Sequence, residues 1–303
     1  MEPGTEKALI EELEKACPGA IRLDEPMARH TTIGAGGAAR YFAVPRSARE
    51  VVGLVRAALA WDVAYFAVGK GSNLLVRDGG YDGLVIQMGA AISRFVLHKR
   101  TAHAEAGMSF TGLGKVLTRE GRPGFEFAVG IPGSVGGAVR MNAGAWGSSV
   151  SGVLASAKVV DGNGRVAVLG PDQLGFEYRG SSLPPGSIVL SAVFRCPPGE
   201  IDQEKLRLSL SRSDSQPLSQ KSFGSTFKNP PGGFAGRMIE ECGLKGERRG
   251  GVQVSEKHAN FLVNVGEATR ANDIEDLVVW IVEKVEAKFH VTLIPEVIII
   301  GNR

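Results

Sequence analysis

The chain is predicted to be an α+β protein of two domains, and three observations carry that prediction. Its 303 residues exceed the roughly 100–200 residues of a single domain. Helical and strand periodicities are mixed along it without the strict βαβ alternation of a doubly wound parallel sheet. Its 41 glycines, about twice the usual share of roughly 7%, gather in clusters that join apolar runs. Such clusters mark tight turns and places where backbone comes very close to a neighbour.

Taken in order, Thr5 to Ala16 reads as a helix with Leu9 and Leu13 on one face, capped by Thr5 and stopped by Pro18-Gly19. Ser47-Ala48-Arg49-Glu50 is a capping box, opening a helix that buries Val51, Leu54, Val55, Ala58 and Leu59. Strands follow at Ala64–Val68 and Gly83–Met88, and a helix at Thr111–Glu120. The stretch from Gly124 to Asn142 has neither period. Asp161-Gly162-Asn163-Gly164 between two apolar runs reads as a hairpin turn. Ser187–Phe194 is a further strand, and Pro197-Pro198-Gly199 is the best boundary between domains. Beyond it, helices are expected at Asp202–Arg212 and Phe234–Cys242, the latter stopped by Gly243. Asn272-Asp273-Ile274-Glu275 reads as a second capping box, before a helix with Ile274, Leu277, Val278, Ile281 and Val285 on one face. A strand Phe261–Val265 precedes it, and a β-branched strand Val291–Ile300, interrupted by Pro295-Glu296, ends the chain.

Composition excludes several classes. With 43% hydrophobic and 22% charged residues, the chain is neither fibrous nor wholly disordered. The net charge is 35 − 32 = +3, and no block of like charge forms a polybasic arm, so nucleic acid is not expected as a partner. Cys17, Cys196 and Cys242 are odd in number and far apart, and form neither a CxxC pair nor a metal-ligand spacing; reduced thiols and no metal are expected. Met1 to Lys15 is acidic and amphipathic rather than a signal peptide. No apolar run approaches the roughly 18 residues of a membrane span.

Five clusters carry chemistry. Val68 to Val76 contains Gly69-Lys70-Gly71-Ser72-Asn73-Leu74 just after a strand, as phosphate-binding loops do, but it matches neither Walker A nor GxGxxG. Alone it reads as a plain strand-to-loop turn. Gly130 to Ala145 permits close approach of backbone to a ligand, or a tight crossing of buried segments. Ser219 to Pro230 places Ser225 between Gly224 and Thr226; no GxSxG elbow surrounds it, which disfavours hydrolysis. Glu296 lies in an apolar segment, where a carboxylate is costly unless paired, protonated or turned to the surface. Arg179, in the polar turn Tyr178–Ser182, is either a carboxylate partner or an ordinary surface residue.

Together these stretches resemble the UDP-N-acetylenolpyruvoylglucosamine reductase family (UDP-N-acetylmuramate dehydrogenases). The most specific are GIPGSVGGAVRMNAGAWG at 130–147, QPLSQKSFGSTFKNP at 216–230, GRMIEECGLKG at 236–246 and PEV at 295–297, in order and with family-like spacing. The resemblance implies a bacterial cytoplasmic flavoenzyme of peptidoglycan synthesis. It implies an FAD-binding domain of the vanillyl-alcohol-oxidase-like type over residues 1–198, in subdomains of about 1–70 and 71–198. A C-terminal α+β substrate-binding domain would span 199–303, its last strand returning toward the flavin. A monomer is expected.

By the same resemblance, Gly69, Lys70, Gly71, Ser72, Asn73 and Leu74 would hold the FAD pyrophosphate. Gly130, Ile131, Pro132, Gly133, Gly136, Gly137, Asn142, Ala143 and Gly144 would line the flavin and its ribityl-phosphate arm. NADPH would reduce the flavin, and N5 would pass hydride to the enolpyruvyl methylene carbon of the sugar nucleotide. Arg179 and Glu296 would stabilise the enolate, Glu296 in its protonated form. Ser225 would protonate the neighbouring carbon. Lys228 and Asn229 would lie near the nucleotide, and His258 would touch substrate or serve the structure. The short segment between Arg179 and Ser187 is similar to the shorter branch of the family, without the loop whose tyrosine closes over substrate. Ile33-Gly34-Ala35-Gly36-Gly37 and Glu247-Arg248-Arg249 depart from the family pattern. Another FAD-dependent oxidoreductase of the same fold, or a non-catalytic nucleotide-sugar binder, stands as the alternative; the 130–147 stretch holds no His or Cys for covalent flavin attachment.

Overall fold

The computed structural model describes residues 3–303. Its contacts form two units, neither of them a consecutive block. One comprises residues up to Asp24, Arg40–Lys70 and Gly83–Leu210; the other comprises Glu25–Ala39, Gly71–Asp82 and Ser211–Arg303. These units do not coincide with blocks cut at 70/71 and 198/199, for two physical reasons. The helix Gln203–Leu210, beyond the Pro197-Pro198-Gly199 turn, stays with the first unit. There the N–H of Asp202, just before it, donates to the buried carboxylate of Glu126 (3.0 Å). Ile33, Ala35 and Leu75, early in the chain, are buried in the core of the second unit.

The first unit holds two cores. One lies under a four-stranded sheet ordered Ile21–Pro26, Ala38–Ala43, Tyr81–Gln87, Tyr65–Val68. The helices Pro3–Ala16 and Ala48–Ala60 pack on it through Leu9, Leu13, Val51, Leu54, Val55 and Ala58. The first helix begins at Pro3, so Thr5 lies inside it rather than capping it. Leu59, expected inside, is 40% exposed. Ser47 caps as expected, accepting from the Glu50 N–H (3.2 Å). The Glu50 carboxylate does not complete the box. It accepts instead from the Arg46 N–H (2.7 Å) and the buried Cys17 thiol (3.4 Å). Burial first, and then that carboxylate, push the thiol pKa up to about 12. All three cysteines are free.

The second core of this unit fills one face of an antiparallel sheet ordered Val166–Leu169, Leu154–Val160, Ile188–Arg195, Thr101–Glu105, Phe95–Leu97. The hairpin about Asp161–Gly164 forms as predicted, pairing Val160 with Val166. Phe110, Phe125, Phe127 and Phe194 dominate the core, Phe125 meeting Phe194 edge to face at 5.5 Å. The aperiodic stretch resolves into a 3-10 turn, Glu126–Gly130, and a short helix, Val135–Arg140. Its glycines blur the helical period because Gly136 is itself an interior contact: a Cβ there would lie 2.9 Å from that of Ala106.

In the second unit, strands Ser222–Ser225, Phe261–Asn264, Val252–Val254 and Arg248–Arg249 form an antiparallel sheet covered by helices Ala235–Glu241 and Ala271–Phe289. The long helix buries the five predicted apolar residues. Its start, however, is not a capping box. Both Asp78 oxygens accept from its first amides, Ala271 (2.8 Å) and Asn272 (2.9 Å). Glu275, freed from capping, is buried against Arg77 (3.0 Å). The final strand is shorter than predicted. Ile298–Ile300 pairs in parallel with Leu74–Val76, while Val291–Val297 lies outside regular strand because Pro295 has no N–H to give a ladder.

No helix among the described residues is long and apolar enough to cross a membrane. Asp78→Ala is expected to lower unfolding stability by about 0.5–2 kcal/mol through loss of the helix cap. Asp78→Asn, keeping one acceptor, should lose less in the same urea titration; equal losses would show that capping is not what Asp78 contributes.

Candidate functional site

Two sets of residues are assembled, one in each unit. In the first, the strand Tyr65–Val68 runs straight into Gly69. A Cβ at Gly69 would lie 2.2 Å from the Ser134 hydroxyl oxygen, so only glycine allows the strand end to pass the start of the helix Val135–Arg140. Ser134 itself caps that helix, accepting from the Gly137 N–H. Lys70 Nζ donates to Ser109 Oγ (2.9 Å), the cap of the helix Phe110–Arg119. The Gly133 carbonyl accepts from the Phe110 N–H (3.1 Å), and the Ile131 carbonyl accepts from the Thr111 hydroxyl. Gly130 closes the 3-10 turn and Pro132 joins it to this pair of caps. Gly136 turns inward, its N–H given to Ala106, whereas a Cβ at Gly137 would meet nothing closer than 3.6 Å.

The Met141–Gly144 stretch fastens the arginine loop. Asn142, at φ +42°, donates to the Glu177 carbonyl (3.0 Å) and accepts from the Ser151 N–H (3.0 Å). Ala143 is tied at both ends, to Ala138 and Val150. The Ser181 hydroxyl donates to the Arg140 carbonyl (2.8 Å). Arg179, at φ +57° in the resulting turn, donates to the Gly144 carbonyl (2.9 Å) and lies over the Tyr178 ring. The sequence picked out both segments; their mutual fastening through Asn142 is a tertiary fact.

In the second unit, Gly71 adopts φ +63°, and a Cβ there would lie 2.0 Å from the His30 carbonyl. Thr32 donates its N–H to the Gly71 carbonyl (3.1 Å) and its hydroxyl to the Ser222 carbonyl. Ser72 approaches Gly224, the residue before Ser225, with its carbonyl 3.9 Å from the place a Cβ would take. Asn73 Nδ2 donates to the Glu296 carbonyl (3.0 Å), and the Ile298 N–H donates to the Asn73 carbonyl (3.1 Å). Leu74 is buried in the parallel pair. The Glu296 N–H donates to the Thr226 carbonyl (2.8 Å), and Phe227 bridges Pro295. Ser225 and Glu296, far apart in sequence, thus lie on adjoining backbones beside Asn73.

Asn260 organises that junction and escaped the sequence reading. Its buried side chain accepts from the Phe227 N–H (2.9 Å) and donates to the Phe227 carbonyl (2.9 Å), as a strand partner would. Its own carbonyl accepts from the Thr226 N–H (2.8 Å). Neighbouring His258 offered the only signal. The His258 ring packs on Phe261, its centroid 5.0 Å away, and Nδ1 accepts from the Asn260 N–H (3.2 Å). Burial holds its pKa below the ordinary 6.5. Asn229 Oδ1 accepts from the Ala235 N–H (3.1 Å), the first of the helix Ala235–Glu241. The Lys228 main chain is held by the Ile294 carbonyl (2.9 Å).

Among the described residues, the N–H groups of Gly69, Lys70, Gly71, Ser72 and Asn73 donate to no protein acceptor. Five consecutive free amides next to a lysine are the donor set a pyrophosphate requires. They fit the diphosphate of a flavin dinucleotide.

Known proteins agree. A family model described as UDP-N-acetylenolpyruvoylglucosamine reductase, C-terminal domain, matches residues 216–300, and one described as FAD binding domain matches 39–170. A UDP-N-acetylenolpyruvoylglucosamine reductase of Streptococcus thermophilus is 43% identical over 300 residues, covering 97% of this chain and 98% of its own. A Streptococcus pyogenes relative of the same name is 45% identical over 286 residues, covering 93% and 96%. The chain belongs to the UDP-N-acetylenolpyruvoylglucosamine reductase family. The crystal structure of the Thermus caldophilus reductase superposes with a TM-score of 0.76 at 34% identity, over 92% of this chain and 97% of that one. Both the glycine loop and the Ser225 strand of this family member therefore lie in matched sequence.

The low pKa of His258 has a defined sign. The unfolded chain takes up the proton first, so stability falls as pH drops below about 6.5 and levels off below the folded pKa. His258→Gln should flatten that slope in urea melts between pH 7.5 and 5; an unchanged slope would assign it elsewhere.

Proposed function

We propose that this chain is an FAD-dependent reductase that converts UDP-N-acetylglucosamine enolpyruvate to UDP-N-acetylmuramate with NADPH, in the cytoplasm and as a monomer. The observation that carries it is the junction of Asn73, Ser225 and Glu296, in which a free-amide loop, a hydroxyl and a carboxyl are held on hydrogen-bonded neighbouring segments. The family relatives named for this reaction support the same reading.

When bound, FAD would supply hydride transfer between a nicotinamide and the methylene carbon of the enolpyruvyl group. Gly69 to Asn73 hold the pyrophosphate through their unclaimed amides, with Lys70 adding charge. Gly130, Ile131, Pro132, Gly133, Gly136, Gly137, Asn142, Ala143 and Gly144 would line the flavin. Leu74 holds the loop from behind by its strand pairing. Lys228, Asn229 and His258 serve the substrate side. Of these, Asn229 has its carbonyl oxygen already committed, leaving its amide nitrogen to donate.

The chemical task left to the chain is to stabilise negative charge on the substrate carboxylate and to deliver one proton. Arg179 supplies the charge, and its tie to Gly144 restricts the guanidinium before substrate arrives. Glu296, in its protonated form, donates a hydrogen bond to the developing oxyanion. Ser225 gives its hydroxyl proton to the carbon next to the carboxylate. A hydroxyl is a weak acid, but the enolate is a strong base, and a positioned donor accelerates such a step by roughly 10²–10⁴-fold. The Ser225 backbone is fixed by pairing with Phe261 and by the Asn260 clamp on Thr226 and Phe227.

Stopped-flow absorbance tests the assignment one half-reaction at a time. Ser225→Ala should leave bleaching of the flavin by NADPH intact and slow reoxidation by the enolpyruvyl sugar nucleotide by about 10²–10⁴-fold. Equal slowing of both halves would remove the proton-donor role. Glu296→Gln should retain more of the second half-reaction than Glu296→Ala; equal loss would exclude a neutral donor at that position. Absence of a flavin band would remove the reductase reading altogether.

A further inference from the structure

The first unit carries a second site, formed by none of the residues discussed above as holding flavin or substrate. A cavity of about 440 Å³ opens where the helices Pro3–Ala16 and Ala48–Ala60 face the hairpin Leu154–Leu169. That volume lies within the roughly 300–1,000 Å³ range of small-molecule pockets. Its apolar lining is half-buried Val52, exposed Val166 and buried Leu190. Gly53 also lines it, with the place for its Cβ only 3.3 Å from Ala16. The glycine lets the two helices close beneath the cavity, at a cost of about 1 kcal/mol in helix propensity.

Four cations surround that apolar patch, Lys15, Arg49, Arg56 and Lys158, and no acidic side chain lines the cavity. Arg49 and Lys158 form no ion pair among the described residues. Arg56 uses only Nε, on the Gly164 carbonyl (3.0 Å), and Lys15 has an exposed partner in Glu12 (3.1 Å). Three of the carboxylates nearby in sequence are committed elsewhere. Glu14 accepts from the Gly19 N–H, Glu50 from Arg46 and Cys17, and Asp161 from the Asn163 and Arg165 N–H groups. The cavity is therefore a concave, positively charged surface on which Arg49 and Lys158 carry no ion pair, beside an apolar patch.

We propose that this cavity binds a nucleoside diphosphate, with its phosphates on Arg49 and Lys158 and its base against Val52 and Val166. An inorganic anion would use only the cationic rim. Guanidinium and ammonium groups suit phosphate oxygens, and a ligand bridging them would couple the Ala48–Ala60 helix to the hairpin.

The test uses the flavin-loaded full chain and reads lysine acetylation by mass spectrometry, residue by residue. ADP and UDP are the probes, with pyrophosphate and adenosine as partial ligands and Lys115 as the reference. ADP or UDP at millimolar concentration should slow acetylation of Lys158 by at least about fivefold while sparing Lys115. Pyrophosphate and adenosine should each protect less. Arg49→Gln should raise the half-protecting concentration by about tenfold, the weight of one charged contact, with flavin reduction by NADPH unchanged. Unaltered Lys158 labelling under both nucleotides would overturn the proposal. So would protection that survives Arg49→Gln, which would mean nucleotide acting from the flavin or substrate site. Pyrophosphate protecting as well as ADP would overturn the nucleoside part and leave an inorganic-anion site.

Discussion

The chain's last residues hold the loop that follows its first glycine cluster, and the second unit depends on that fastening. Ile298–Ile300 pairs in parallel with Leu74–Val76, the Ile298 N–H reaches the Asn73 carbonyl, and the Asn73 side chain reaches the Glu296 carbonyl. A parallel pair joins segments that no short turn can connect. The loop and the Glu296 segment therefore hold each other in place. Arg77 and Asp78, immediately after the pair, extend the same dependence to the long helix through Glu275 and the amides of Ala271 and Asn272.

In the proposed function, the chemistry rests on backbone more than on side chains. Gly69 and Gly71 are glycines because Ser134 and the His30 carbonyl leave no room for a Cβ. The unclaimed amides around them form an anion site without a dedicated charged cage. In the proposed reaction, side chains would then supply what backbone lacks, a proton at Ser225, a carboxyl at Glu296 and a fixed positive charge at Arg179. Each of the three stands on a segment held by buried or half-buried amides. Asn142 secures the Arg179 turn, Asn260 the strand end at Ser225, and Asn73 the Glu296 backbone. Asparagine suits this work because one side chain can both donate and accept, standing in for a strand partner where no strand runs.

The amphipathic helices, the 161–164 hairpin and the site motifs were legible in sequence because each depends on residues close together in the chain. Apolar spacing identified the buried face of Ala271–Phe289, and the turn residues of the hairpin specify its register locally. Reading failed where a partner came from afar. The start of that helix is capped by Asp78, roughly two hundred positions away, so its own acidic residues gave a false capping box. Asn260 was missed because a buried amide has no distinctive local pattern; its meaning comes from the Phe227 backbone opposite.

By itself, then, the sequence determined the mixed α+β class, the family, and the residue types that the chemistry needs. Glycine clusters, a lone hydroxyl and an embedded carboxyl are properties of composition and order. Tertiary structure alone decided that Ser225 and Glu296 share a hydrogen-bonded junction, that the early segments Glu25–Ala39 and Gly71–Asp82 belong with the C-terminal unit, and that four scattered cations ring one apolar patch. The physical reason is common to all three. Long-range hydrogen bonds and core packing are fixed by where distant segments meet, and hydrophobic burial rewards that meeting without leaving a periodic mark in the chain.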